Sequence, residues 1–187
     1  MTIDITDAGG DNLGSFGITN TPIFGQTFTT PDATNIVLSE FDFQITLASV
    51  CTFTFYVYQF DTGTLQVTGS PLYTSSSFTP SGSLQLATFT PNLTLNSSNT
   101  YIALALADAH GGGSGTFKCP AGANTTPDPD TYDYDLYANG AFYFRNDTNV
   151  AGVFIGDFLG VGGDIAFKAV FGTSSPSIIN SFEIAGD

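Results

Sequence analysis

The sequence predicts an all-β protein: a single antiparallel β-sandwich, jelly-roll-like, of roughly ten strands. Three observations predict it. The usual surface helix formers are nearly missing, with two Glu (Glu40, Glu183), two Lys (Lys118, Lys168) and one Arg (Arg145) in 187 residues. In their place stand 26 Thr, 18 Phe and 8 Tyr, side chains that fit a pleated, half-buried surface. Finally, 21 Gly and 9 Pro divide the chain into short runs of strand length.

Taken in order, residues 1–21 are polar and Gly-rich and read as an N-terminal arm. The sandwich domain spans residues 22–172, with its first strand near 23–29. In Glu40-Phe41-Asp42-Phe43-Gln44-Ile45-Thr46-Leu47 every odd residue is apolar and every even one polar. Such a period of two describes a strand with one face on the core. Thr52-Phe53-Thr54-Phe55-Tyr56-Val57-Tyr58 repeats the pattern, with an even face of Thr and Tyr whose hydroxyls can stay wet. Strands follow near 70–78 and 84–90. Tyr101-Ile102-Ala103-Leu104-Ala105-Leu106-Ala107 is apolar on both faces, large against small, and reads as a central strand. Residues 108–130 are rich in Gly, Pro, Asn and Asp and read as surface loops, with Pro127 and Pro129 arguing against a central strand. Further strands are expected near 114–118, 131–137 and 141–145. Ile165, Phe167, Ala169 and Phe171 share one face, with Lys168 opposite. Residues 173–187 form a last strand or a tail.

Charge narrows the function. Three basic residues stand against 17 acidic ones, a net charge of −14. Nucleic-acid binding requires Lys and Arg to neutralise phosphates, and anionic membrane surfaces are disfavoured in the same way. No apolar run approaches the length needed to span a bilayer as a helix. The first residues, Met1-Thr2-Ile3-Asp4-Ile5, carry no basic and apolar leader pattern.

Four candidate sites of chemistry stand out. His110 opens a His-Gly-Gly-Gly run, with Ser114 four residues on, but no Gly-x-Ser-x-Gly elbow exists, and a plain loop histidine is the simpler reading. Asp128, Asp130, Asp133 and Asp135 are candidate calcium ligands, because hard cations take several closely spaced carboxylates. The competing reading is a solvated acidic strand edge. There Asp133 and Asp135 point out, Tyr132, Tyr134 and Leu136 point in, and the charges discourage edge pairing. Asp4, Asp7 and Asp11 carry a weaker form of the same signal. Cys51 and Cys119 match no metal or redox spacing. They are a disulfide candidate that would contribute about 4 kcal/mol in the chain-entropy picture, or else a buried thiol and an unrelated loop thiol. Tyr56, Tyr58, Tyr73, Tyr137 and Tyr143 could form a sugar-stacking platform, although ordinary sheet-face tyrosines are the simpler reading. Asn92, Asn96, Asn124 and Asn146 head Asn-x-Ser/Thr sequons, as chance provides in a chain so rich in Thr and Ser.

Several landmarks carry a family resemblance. They are Gly25-Gln26-Thr27-Phe28-Thr29, Leu38-Ser39-Glu40-Phe41-Asp42-Phe43, Phe55-Tyr56-Val57-Tyr58-Gln59-Phe60-Asp61 and Gly69-Ser70-Pro71-Leu72-Tyr73, then Leu93-Thr94-Leu95 leading to Tyr101-Ile102-Ala103, and Gly163-Asp164-Ile165-Ala166-Phe167-Lys168-Ala169. In order and spacing the chain resembles a family of secreted β-sandwich domains of cyanobacteria and proteobacteria, often found with C-terminal PEP-type sorting anchors. The resemblance implies a jelly-roll-like sandwich acting outside the cell, with no family-wide catalytic residues to carry over. The chain departs from that family in showing neither a signal peptide nor a PEP-type tail.

These readings combine into an expectation of a non-enzymatic structural protein with protein partners in a shell or surface assembly. The expected form is a homo-oligomer, and no cofactor is required beyond a possible Ca2+. The expected setting is a phage virion, as a decoration, cement or tail-associated protein docking through one face or an arm. The alternative is a glycan-binding or adhesive module of a bacterial surface or matrix. A glycosidase would need two carboxylates at a set separation, which sequence does not reveal.

Overall fold

The computed structural model describes residues 1–6, 12–17, 21–47, 51–108, 115–120, 136–156 and 163–173. Among them are thirteen strands and no helix: β1 (Thr2–Asp4), β2 (Asn12–Phe16), β3 (Ile23–Phe28), β4 (Val37–Thr46), β5 (Phe53–Asp61), β6 (Gln66–Thr74), β7 (Gln85–Phe89), β8 (Leu93–Thr94), β9 (Thr100–Ala107), β10 (Gly115–Lys118), β11 (Phe142–Arg145), β12 (Ile155–Gly156) and β13 (Phe167–Gly172). They form two antiparallel sheets packed face to face, so the sandwich expected from the alternation is present, with more strands than the sequence suggested.

The larger sheet is organised on β4, the longest strand. One edge of β4 pairs with β7 and β8. Its other edge pairs with β13 and, further along, β10. Outside these lie β1 on β13 and β2 on β10. The smaller sheet runs β12-β11-β3-β9-β5-β6.

Period-two order explains the inner faces. Phe41, Phe43 and Ile45 from β4 meet Phe53, Phe55 and Val57 from β5, all fully buried. Their rings pack in stacked and edge-to-face pairs: Phe41 on Phe167 at 5.4 Å and 4°, Phe55 on Phe89 at 4.3 Å and 8°, Phe43 edge-on to Phe117 at 5.3 Å. Such pairs add about 0.5–1.5 kcal/mol each beyond the area they bury.

Strand β9 is central in the smaller sheet, as its two-sided apolar pattern requires. Its small side chains, Ala103 and Ala105, face the aromatic core. Ile102 and Leu104 face outward into a second cluster with Ile23, Tyr58, Phe60 and Phe154. The even face of β5 is therefore not wet along its length: Tyr58 is 8% and Phe60 4% exposed.

Three sequence expectations are corrected. Where residues 1–21 are described they do not form an arm, because β1 and β2 are strands of the larger sheet and Phe16 is fully buried in the core. The Met1 ammonium also donates to Phe171 O at 2.6 Å. No strand forms at 136–137, and Leu136 points out at 50% exposure while Tyr137 is buried, the reverse of the expected parity. Tyr137 is drawn in because its backbone N–H is bonded to Asp164, its hydroxyl lies at Thr29 and its ring packs edge-on to Phe167. Finally, the structure does not join Cys51 to Cys119. Cys51 Sγ lies 3.6 Å from Phe16 O, beside the Gly115 end of β10, whereas Cys119 follows Lys118 at its other end. Roughly 10 Å of strand separates those ends, beyond the Cα separation a disulfide spans.

Candidate functional site

Four features gather polar or accessible side chains. The first is a buried polar pair in the inner face. Gln26 projects from β3 between Phe24 and Phe28, and both Gln26 and Asp164 are fully buried. Gln26 Nε2 donates to Asp164 Oδ1 at 2.6 Å, and Ile165 N donates to Gln26 Oε1 at 3.0 Å. Asp164 Oδ2 accepts from Tyr137 N at 2.8 Å. These bonds fasten residues 136–141 and 163–166 to β3. A buried carboxylate bonded on both oxygens is a structural clamp, and truncating it would leave several polar groups unpaired. Two landmarks quoted above, around Gln26 and around Asp164, thus meet across 138 residues of sequence.

The second is a charged cluster on the outer face of the larger sheet. Asp42 is 1% exposed there, beside Thr88 of β7 and Lys168 of β13. Lys168 Nζ donates to Glu40 Oε1 and lies 3.4 Å from Asp42 Oδ2. Asp42 Oδ1 has no partner among the described residues. Burial pushes the Asp42 carboxyl above its ordinary range, opposed first by a Thr88 hydrogen bond and then by Lys168. The Glu40 hydrogen bond holds the Lys168 ammonium above its own.

The third is the roof over the outer apolar cluster. Arg145, at the end of β11, grips Asp147 with two parallel bonds of 2.9 and 2.8 Å and donates to Val153 O. This bidentate pairing keeps Asp147 ionised well into the acid range. It shapes the loop 146–154, whose Phe154 packs on Phe60 and under the guanidinium. Phe154 N donates to Leu65 O at 2.8 Å, tying the loop to the β5–β6 turn. Gly152 lies against the guanidinium, where a Cβ would overlap it.

The fourth is a cleft of about 280 Å³ between the sheets, lined by Leu13, Gly14, Thr21, Phe24, Phe142, Phe144 and Asn146. Its lining is mostly aromatic, with Thr21 Oγ1 donating to Asn146 Oδ1 at 3.1 Å on its polar side. None of these residues is an acid, a base or a thiol, so the described lining suits an apolar group and itself supplies no proton transfer or activated nucleophile.

The sequence candidates divide as follows. Asp128, Asp130, Asp133 and Asp135, with His110, Ser114, Asp7, Asp11 and Asn124, lie outside the described residues. Among the described residues, no three His, Cys, Asp or Glu side chains converge on a metal-sized site. Asp4 Oδ1 accepts from Thr6 N and Oγ1. The five tyrosines form no common platform. Tyr56 and Tyr58 lie 6.0 Å apart on the outer face of the smaller sheet, and Tyr143 packs on Phe60 in the same cluster. Tyr73 packs on Phe55, and Tyr137 belongs to the inner core. Sequence reasoning missed the roles of Asp164, Asp42 and Arg145. Only Asp42 carried a signal, as a polar residue in a strand otherwise well ordered.

No known protein family matches the chain, and no characterised protein or solved structure aligns with it.

Proposed function

We propose that the chain is a non-enzymatic structural component of an extracellular assembly, and that the assembly is a phage virion on which it serves as a decoration or tail-associated protein. One observation carries the reading: all three cationic side chains are spent inside the fold. Lys118 Nζ donates to Asn12 Oδ1 at 3.1 Å, Arg145 is held by Asp147, and Lys168 by Glu40 and Asp42. The remaining acids have no basic side chain left to neutralise them, so the molecule carries a large net charge of one sign around a dense phenylalanine core. Such a charge keeps a crowded surface component soluble and repels anionic neighbours. The buried Gln26–Asp164 pair fastens three segments together, which suits a durable shell element. The likeness to secreted sandwich domains supports the extracellular setting.

Mass spectrometry of purified virions from the producing host tests this. The chain is expected at a copy number in fixed ratio to the shell protein. Its absence from intact particles would overturn the virion assignment.

A further inference from the structure

In a chain of net charge −14, residues 62–107 contain no Asp, Glu, Lys, Arg or His: 46 consecutive uncharged residues between Asp61 and Asp108. The fold uses this block in a particular place. It supplies β6, the edge of the smaller sheet, and β7 and β8, the edge of the larger one. These edges lie on the same flank, because Phe55 of β5 stacks on Phe89 of β7 and touches Tyr73 of β6. One flank of an acidic molecule is therefore built from uncharged strands.

The two edges of that flank differ. Strand β6 is blunted: Gly69 has φ +72°, Pro71 has no N–H to offer, and the register against β5 shifts between Val57 and Gln59. Proline and bulges are the usual devices that stop an edge from pairing. Strand β7 has none of these. Gln85–Phe89 pairs with β4 in unbroken register and contains no Pro, Gly or charge. Among the described residues its only partner strand is β4. Leu84 and Leu86 stand on its outer row, each 45% exposed. Elsewhere, β12 is only two residues long, β1 carries Asp4, and β2 contains Gly14 and pairs with β10 in a shifted register.

We propose that β7 is a docking edge and that its occupant is β7 of a second copy of this chain, paired antiparallel about a two-fold axis to continue the larger sheet across the dimer. A two-fold axis sets a strand against itself in antiparallel sense. It also sets every charge near the axis against its own copy, so an acid-bearing edge would meet acid. An uncharged edge meets only Gln, Leu, Ala, Thr and Phe, and its leucine rows cover each other. Two bodies of charge −14 approach each other best where neither presents charge.

Sedimentation velocity and native mass spectrometry of the purified full chain test the pairing without the particle, so it can fail while the structural reading stands. The wild type is expected to form dimers that tighten as salt screens the net repulsion. Leu86→Glu and Leu86→Lys are expected to weaken the dimer at least about a hundredfold each. Thermal unfolding of both is expected to stay near that of the wild type, because the side chain is half exposed. Mixing the two variants restores the dimer, since opposite charges then face each other. Ile155→Glu, on exposed β12 of the smaller sheet, leaves it intact. A monomeric wild type, a dimer that survives Leu86→Glu, a mixture that stays monomeric, or loss of the dimer in Ile155→Glu would each overturn the proposal.

Discussion

The outer faces of the two sheets solve one problem in opposite ways. The larger sheet covers its outward row with a charged trio, Asp42, Glu40 and Lys168. The smaller sheet covers its own with an apolar layer, Ile23, Tyr58, Phe60, Ile102 and Leu104, roofed by Phe154 and the Arg145 loop. An apolar roof removes water and contributes by area. A charged trio desolvates an acid and recovers that cost only through its partners. The roofed face should therefore supply most of the outer-face stability, while the charged face fixes register and makes stability depend on pH.

The largest expected effect tests the roof. Phe154 is 1% exposed, and Phe154→Ala should cost about 3–5 kcal/mol. Chemical denaturation, with Tyr58 and Tyr143 fluorescence reporting on the outer cluster, measures it. A loss below about 1 kcal/mol would mean that the roof is decorative and the comparison wrong.

Next comes Lys168→Met, which removes the cation between Glu40 and Asp42 and leaves two like charges adjacent. The expected loss is about 1–3 kcal/mol near neutral pH, shrinking as acid protonates Asp42. Denaturant midpoints at neutral and acid pH give both values.

Asp42→Asn should have the smallest effect and the most telling sign. Burial raises the Asp42 pKa in the fold, so the native state binds its proton more tightly than the unfolded chain. The wild type consequently loses stability at this site as pH rises from the ordinary aspartate range through the raised value. Asn carries no charge to bury, so the variant is expected to be slightly more stable than the wild type at neutral pH and to lose that advantage in acid. Lys168 keeps Glu40 in either case. A variant less stable at neutral pH would show that the Lys168 contact outweighs burial.

How legible this was in the sequence depends on the separation of the parts. The inner faces were readable because Phe41, Phe43, Ile45 and Phe53, Phe55, Val57 repeat within a single strand. The roof was not, because residues 146–154 begin Asn146-Asp147-Thr148-Asn149 and read as a polar turn; only the outward Ile102 and Leu104 hinted that something had to cover β9. The Gln26–Asp164 clamp joins residues 138 apart, which no local pattern can announce. The N-terminal strands were misread as an arm because composition marks Gly-rich polarity and not pairing: Ile3 finds its partner at Ala169, on the far end of the chain. Of the candidate site residues, the sequence offered an acidic cluster, yet Asp42 and Asp164 acquire Lys168 and Gln26 as partners only through the fold, while Asp147 pairs with Arg145 two residues away in what read as a plain polar turn.

The pairing of β1 with β13 has a mechanical consequence. Met1 lies against Phe171, so the first residue and the end of β13 meet at one corner of the sandwich. Tension applied through these two ends would part β1 from β13 one hydrogen bond at a time, like a zipper, starting at Met1. The stacked rings of Phe41 and Phe167 would feel little of that load until the short strand had peeled away. The domain would thus yield first at a strand of three residues, giving way softly at its tether while the aromatic interior stays closed.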